Sequence, residues 1–311
     1  MKIAGLIALA LVGGLPAIAV AAPAAQPLII PVAPGGQPHI PIRIKHADLD
    51  VRLALSFDMA LVLNAEPAFR AELKPFPLIG KRTFKNALIP GGEATFRGNL
   101  YGITPRGLDK STVPAIWVDK PIAADADGVL SITSLKSDHI VFVFGPQVPG
   151  SIIHTISRKS GGVMMLAQVG DEKIDVALEL NSPDTVMNAR AAAALINAGI
   201  FKRAGEVGFW KPFPGVDLPF ERLAPAPGAR LLGLPLGRAG VRITEAQAKV
   251  IDARAHAGTS TAEDDTDAIT VTASRKKGRN PWILIGRDML SGCSRIEFDR
   301  PAKLWRLTCA F

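Results

Sequence analysis

Residues 41–73, PIRIKHADLDVRLALSFDMALVLNAEPAFRAEL, have a counterpart at 163–199, VMMLAQVGDEKIDVALELNSPDTVMNARAAAALINAG. Each reads as a strand, a turn, a second strand, a short break and a helix of small residues. Asn64 and Asn188 stand where helix N-caps belong, and Gly199 where the second helix would end. A second pair of blocks follows in the same order. DGVLSITSLKSDHIVFVF at 127–144 matches WILIGRDMLSGCSRIEFD at 282–299, setting Leu130 beside Ile285, Ser131 beside Gly286 and Leu135 beside Leu290. Four elements in one order, twice, predict an internal duplication.

The first pair of blocks is offset by 123 residues (58 to 181) and the second by 155 (131 to 286), so the second copy carries about 32 extra residues. The polar stretch at 253–280, ARAHAGTSTAEDDTDAITVTASRKKGRN, is about that size and reads as a surface insertion. Ahead of it, Thr244 and Gln247 have capping-box spacing and predict a helix over about 245–255. Residues 23–38 read as an extended N-terminal arm, 39–155 as lobe 1 and 160–311 as lobe 2, joined near GPQVPG at 145–150.

Composition sets the class. Gly (29) and Pro (25) are frequent, aromatics are scarce and long amphipathic helical patterns are few, which predicts a mainly β chain of short strands and turns. One Lys, the apolar run IAGLIALALVGGL and the small residues AIAVAAPAA give residues 1–22 the order of a secretory signal peptide, and hence a protein exported to the periplasm or beyond. A membrane anchor over the same residues is the competing reading, interrupted by Gly13, Gly14 and Pro16. No membrane span is expected in the mature chain.

The formal net charge of +8 is spread along the sequence. Its one dense cluster, SRKKGRN at 274–280, has no interleaved aromatics to stack on bases, so a solvated loop is expected and no nucleic-acid partner. The only cysteines, Cys293 and Cys309, flank RIEFDRPAKLWRL, two short strands around a turn at 299–303. A hairpin turning at Pro301 would bring them face to face, permitting a disulfide in an oxidising compartment; two separate buried thiols are the alternative.

The duplicated unit of strand, loop, helix and apolar strand ending in a Gly-containing turn resembles the retropepsin and pepsin-like aspartic peptidases. LALSFDMALVLN and LELNSPDTVMN are similar to that family's strand and Asp-Thr-Gly loop, and ILIGRDML and GVLSITSL to its apolar-apolar-Gly element. The resemblance implies a two-lobed fold with a peptide-binding cleft, in which two carboxylates share a proton over one water. Carried over, the first family Asp falls on Asp58, followed by Met59 and Ala60 where Thr and Gly belong. The second falls on Asn181, followed by Ser182 and Pro183.

An Asn cannot ionise, so an Asp58–Asn181 pair cannot run the shared-proton cycle. The expectation is a non-catalytic or impaired homologue that binds peptide or protein in the cleft through Met59, Ala60, Ser182 and Pro183. Asp184, reached by slipping the alignment three residues, is the alternative partner for Asp58 in an active endopeptidase. A structural envelope protein with a filled interface is the third reading. The resemblance also implies a flap from lobe 1, and the sole tyrosine, Tyr101, stands where one would lie. Histidines 39, 46, 139, 154 and 256 show no metal-ligand spacing, and no phosphate loop or nucleophile elbow occurs, so no metal or cofactor is expected.

Overall fold

A computed structural model describes residues 26–85, 89, 91–159, 161–256 and 280–311. The signal-peptide reading and most of the 253–280 insertion, including its basic cluster up to residue 279, lie outside the described residues. The chain is mainly β. No helix among the described residues is long and apolar enough to cross a membrane.

In the first half the strands are β1 (Leu28–Pro31), β2 (His39–Ile44), β3 (Ala47–Ala54) and β4 (Leu61–Asn64), followed by helix α1 (Ala65–Arg70). Then come β5 (Lys81–Lys85), β6 (Glu93–Pro105), β7 (Ser111–Val118), β8 (Gly128–Ser131) and β9 (His139–Val143). The second half begins with β10 (Ile152–Ser157), β11 (Met165–Val169), β12 (Glu172–Leu178), β13 (Val186–Met187) and α2 (Ala189–Asn197). It continues with β14 (Phe201–Phe213), β15 (Val216–Pro225), the short pair β16 (Arg230–Leu231) and β17 (Leu234–Pro235), β18 (Ala239–Arg242) and α3 (Glu245–His256). β19 (Trp282–Ile285), α4 (Arg287–Leu290), β20 (Cys293–Asp299) and β21 (Leu304–Cys309) complete it.

Two seven-stranded sheets carry most of these strands, in the orders β2-β3-β8-β4-β7-β6-β5 and β11-β12-β19-β13-β18-β15-β14. Position by position the pairing senses agree: β3–β8 and β12–β19 are parallel, β4–β8 and β13–β19 antiparallel, β4–β7 and β13–β18 parallel. In the first sheet β2 also pairs with β6, closing six strands into a barrel. Alternation builds the core: along β3 the side chains of Ala47, Leu49, Val51 and Leu53 turn inward while Asp48 and Asp50 face water.

A third sheet, β1-β9-β20-β21-β10, draws strands from both halves. Within the segment read as an extended N-terminal arm, β1 runs parallel to β9, and Ile30 and Val32 are buried with the core. The C-terminal hairpin turns between Asp299 and Leu304, and Cys293 stands opposite Cys309 and is joined to it by a disulfide. The capping box forms as its spacing predicts: Thr244 N–H donates to Gln247 Oε1 at 2.9 Å and Gln247 N–H to Thr244 Oγ1 at 3.2 Å.

Candidate functional site

Both halves bend from strand to loop at the same place, directly after β3 and after β12. Ladder registers show which residues of the two bends correspond. Leu53 stands opposite Leu130 and Leu178 opposite Ile285, so the block match of Leu130 with Ile285 makes Leu178 the counterpart of Leu53, an offset of 125. By the same offset Glu179 corresponds to Ala54, and Asn181 to Ser56. Beyond the bend, Val62 opposite Val129 and Val186 opposite Leu284 give an offset of 124. On that block match Asn181 falls opposite Ser56 and not opposite Asp58, the residue it was aligned with in sequence.

What meets between the bends is a small polar cluster around Glu179. Glu179 is buried, 6% exposed as a residue. Oε2 accepts the Ser56 hydroxyl at 2.5 Å, and Oε1 accepts the Asn181 backbone N–H at 2.9 Å and its Nδ2 at 2.8 Å. Asn181 Nδ2 also donates to Leu53 O at 2.9 Å, linking the second loop to β3. Burial pushes the Glu179 pKa up, and hydrogen bonds from Ser56, Asn181 and the Leu55 amide offset part of that rise.

Asp58 points elsewhere. It is exposed, and its Oδ1 accepts the Val163 N–H at 3.1 Å in the turn leading into β11. That turn packs so closely that a Cβ on Gly162 would stand 2.5 Å from Asp58 Oδ2. Trp305 and Arg158 hold the same turn: Trp305 Nε1 donates to Val163 O at 2.8 Å, and Arg158 donates to Gly162 O while lying 4.0 Å over the Phe298 ring. Asp184, in the loop before β13, faces Arg222 of β15 at 3.6 Å. Among the described residues no hydrogen bond or ion pair joins Asp58 to Asn181 or Asp184.

The apolar-apolar-Gly element has a clear steric reason in the second half. A Cβ on Gly286 would fall 2.4 Å from Asp184 O, so only glycine lets the loop backbone lie against it. Thr185 completes that contact, accepting the Gly286 N–H at 2.9 Å and donating to Asp288 Oδ1 at 2.7 Å. The first half solves the same junction with Ser131, whose hydroxyl donates to Phe57 O at 2.6 Å.

A cavity of about 950 Å3 opens beside the cluster, between the halves. Arg52, Ala54, Ser56 and Phe57 line it from the first half, and Glu179, Asn181, Ser182 and Pro183 from the second. Its outer wall is the hairpin of β14 and β15, which brings in Trp210 and Phe213, while Trp282 stands 6.4 Å from Trp210, ring to ring. Gln37 Oε1, Arg52 Nε and Asn181 Oδ1 are buried, belong to residues on this cavity and have no hydrogen-bond partner.

Of the residues singled out from sequence, Asn181, Ser182 and Pro183 line the cavity; Asp58, Met59, Ala60, Asp184 and Tyr101 do not. The Tyr101 hydroxyl is turned to the segment after α1, donating to Lys74 O at 2.9 Å and accepting the Lys74 N–H at 2.6 Å. The hairpin on the cavity comes from the second half instead. Glu179, Ser56 and Arg52 escaped the sequence reading. A lone acid inside the apolar run VALELN was the available signal, because a carboxylate in such a strand must find donors.

One cluster able to hold a metal occurs among the described residues, where the β9, β20 and β21 ladders gather His139, Glu297 and Asp299. Arg306 already occupies its centre, donating to Glu297 at 3.1 Å and Asp299 at 2.6 Å. The set is therefore an ion-pair network. No protein-family model matches the chain, and no curated protein matches it.

Proposed function

We propose that the chain is an exported, two-lobed, aspartic-peptidase-like protein, built by internal duplication, that binds an extended peptide or protein segment between its lobes without cleaving it. The observation that carries this reading is the setting of Glu179, whose carboxyl bonds to Ser56 and Asn181 and, among the described residues, to no second carboxyl. Glu179 has Ala54 as its counterpart, and a shared-proton mechanism needs two carboxyls over one water. The matching orders and senses of the two seven-stranded sheets support the duplication.

The cavity suits a peptide better than an apolar small molecule. Gln37, Arg52 and Asn181 bring polar side chains to its lining, while Trp210, Phe213 and Trp282 offer apolar surface to side chains. An open cavity of this size speaks against a merely structural interface. The separate engagements of Asp58 with Val163 and of Asp184 with Arg222 speak against an endopeptidase built on those two residues.

The test has two arms. Tryptophan fluorescence titrated with an unstructured peptide mixture should report saturable binding that Trp210→Ala weakens about tenfold, the loss expected for an aromatic anchor. Unfolded casein incubated at acid pH should stay intact. Pepstatin-sensitive cleavage, abolished by Asp58→Ala or Glu179→Gln, would overturn the reading.

A further inference from the structure

The segment 73–92, LKPFPLIGKRTFKNALIPGG, contains four Lys or Arg residues and no Asp or Glu. Its described part includes β5, the edge strand of the first sheet, and none of its described residues lines the cavity. Leu78 is fully exposed and Phe69 is 85% exposed; Phe76, Ile79, Phe84 and Leu100 are also more than half exposed. Most large apolar side chains hide in a core, so Phe76, Leu78, Ile79, Phe84 and Leu100, exposed along the 76–84 segment and the adjoining β6, form a patch that calls for a partner; Phe69 lies apart, beside Arg97.

The patch is held rigidly. Phe76 N–H donates to Gly98 O at 2.9 Å, Gly98 N–H to Gly80 O at 2.8 Å, and Gly80 N–H to Phe76 O at 2.9 Å, binding the 76–80 turn to β6. The turn sets Leu78 at φ +67°, a conformation in which a bulky residue is strained and glycine is not. Phe84 packs edge-on against Phe96, with ring centres 5.2 Å apart. Around this surface stand Lys74, Lys81, Arg82, Lys85 and Arg97, none of which forms an ion pair among the described residues.

A rigid apolar tip ringed by unpaired cations fits one chemistry: aliphatic and aromatic groups entering the acyl boundary of a bilayer while Lys and Arg sit among anionic headgroups. We propose that this face docks on an anionic phospholipid surface, with Leu78 and Ile79 as the inserting residues and Lys81 and Arg82 as principal headgroup contacts. None of these residues lines the cavity, so docking through them does not use its lining. The proposal stands independently of what the cavity binds.

Co-sedimentation with vesicles tests it. The full chain should bind phosphatidylglycerol–phosphatidylcholine vesicles at least tenfold better than pure phosphatidylcholine vesicles, and the difference should shrink as salt is raised. Leu78→Ser with Ile79→Ser, at exposed positions that leave the core intact, should lower binding about tenfold, and Lys81→Glu with Arg82→Glu should remove the preference for anionic lipid. Absence of binding to either vesicle, or equal binding by the variants, would overturn the proposal. So would concentration-dependent self-association that Leu78→Ser abolishes in the absence of lipid, since that would assign the face to a second copy of the chain.

Discussion

Glu179 couples the junction to pH. Its pKa is raised in the folded protein, so between the ordinary unfolded value of about 4.3 and its folded value the native state holds more protons than the unfolded one. Its contribution to stability is therefore greatest below that unfolded value and declines as pH rises through the window. Glu179→Gln keeps an acceptor for the Asn181 amide and removes the titration, so denaturant midpoints should show little change at pH 4 and a gain over wild type at pH 8. Ser56→Ala deletes the hydroxyl donor to Oε2 and should cost about 1–3 kcal/mol at neutral pH, less in acid, where the protonated carboxyl no longer needs a full set of donors. Asp58 illustrates why the site was only half legible in sequence. It sits in the loop between β3 and β4, and its carboxylate is engaged by Val163, 105 residues away, a contact no local pattern announces.

Elements were easier to read than contacts, because caps and strand alternation are local. Asn188 accepts the Ala191 N–H at 3.0 Å and caps α2 as its position predicts, whereas the Asn64 side chain leaves α1 uncapped. It bonds instead to Ile122, Ala123 and Ala126, stitching the β7–β8 connection to the barrel. Sequence gave the position of that asparagine, and tertiary structure took its side chain. The β14–β15 hairpin is the opposite case: its thirteen- and ten-residue strands interrupt their ladder twice, and the irregular register hid from a periodicity reading the element that walls the cavity. At the C-terminus the disulfide closes a loop with a sequence separation of 16 across a single hairpin. Chain-entropy arguments give such a closure about 3 kcal/mol. Replacing both cysteines by alanine should therefore lower the urea midpoint with little change in slope, while an unchanged midpoint would show that the hairpin ladder alone sets stability there.

At the scale of the molecule, the five-stranded sheet decides how the halves behave. β9, from the first half, lies between β1 and β20, and β20 pairs in turn with β21 and so with β10. Strands that distant in sequence gave no signal of partnership beyond their alternation, so the blocks could be matched to each other but not placed side by side. Ile140 and Phe142 of β9 and Ile296 and Phe298 of β20 are all fully buried. Burying four such side chains is worth on the order of 8 kcal/mol as an upper estimate, and it would be lost if either half separated. The connection from Gly145 to Gly150 is exposed throughout and carries none of this energy. A protease site engineered at Gln147 should thus be cut without dissociation. The nicked protein should elute as a single species and unfold in one transition at lower stability, because only the covalent tether is lost. Separate elution of the two pieces, or two resolved transitions, would show instead that each half is held by its own seven-stranded sheet and that the shared sheet merely docks them.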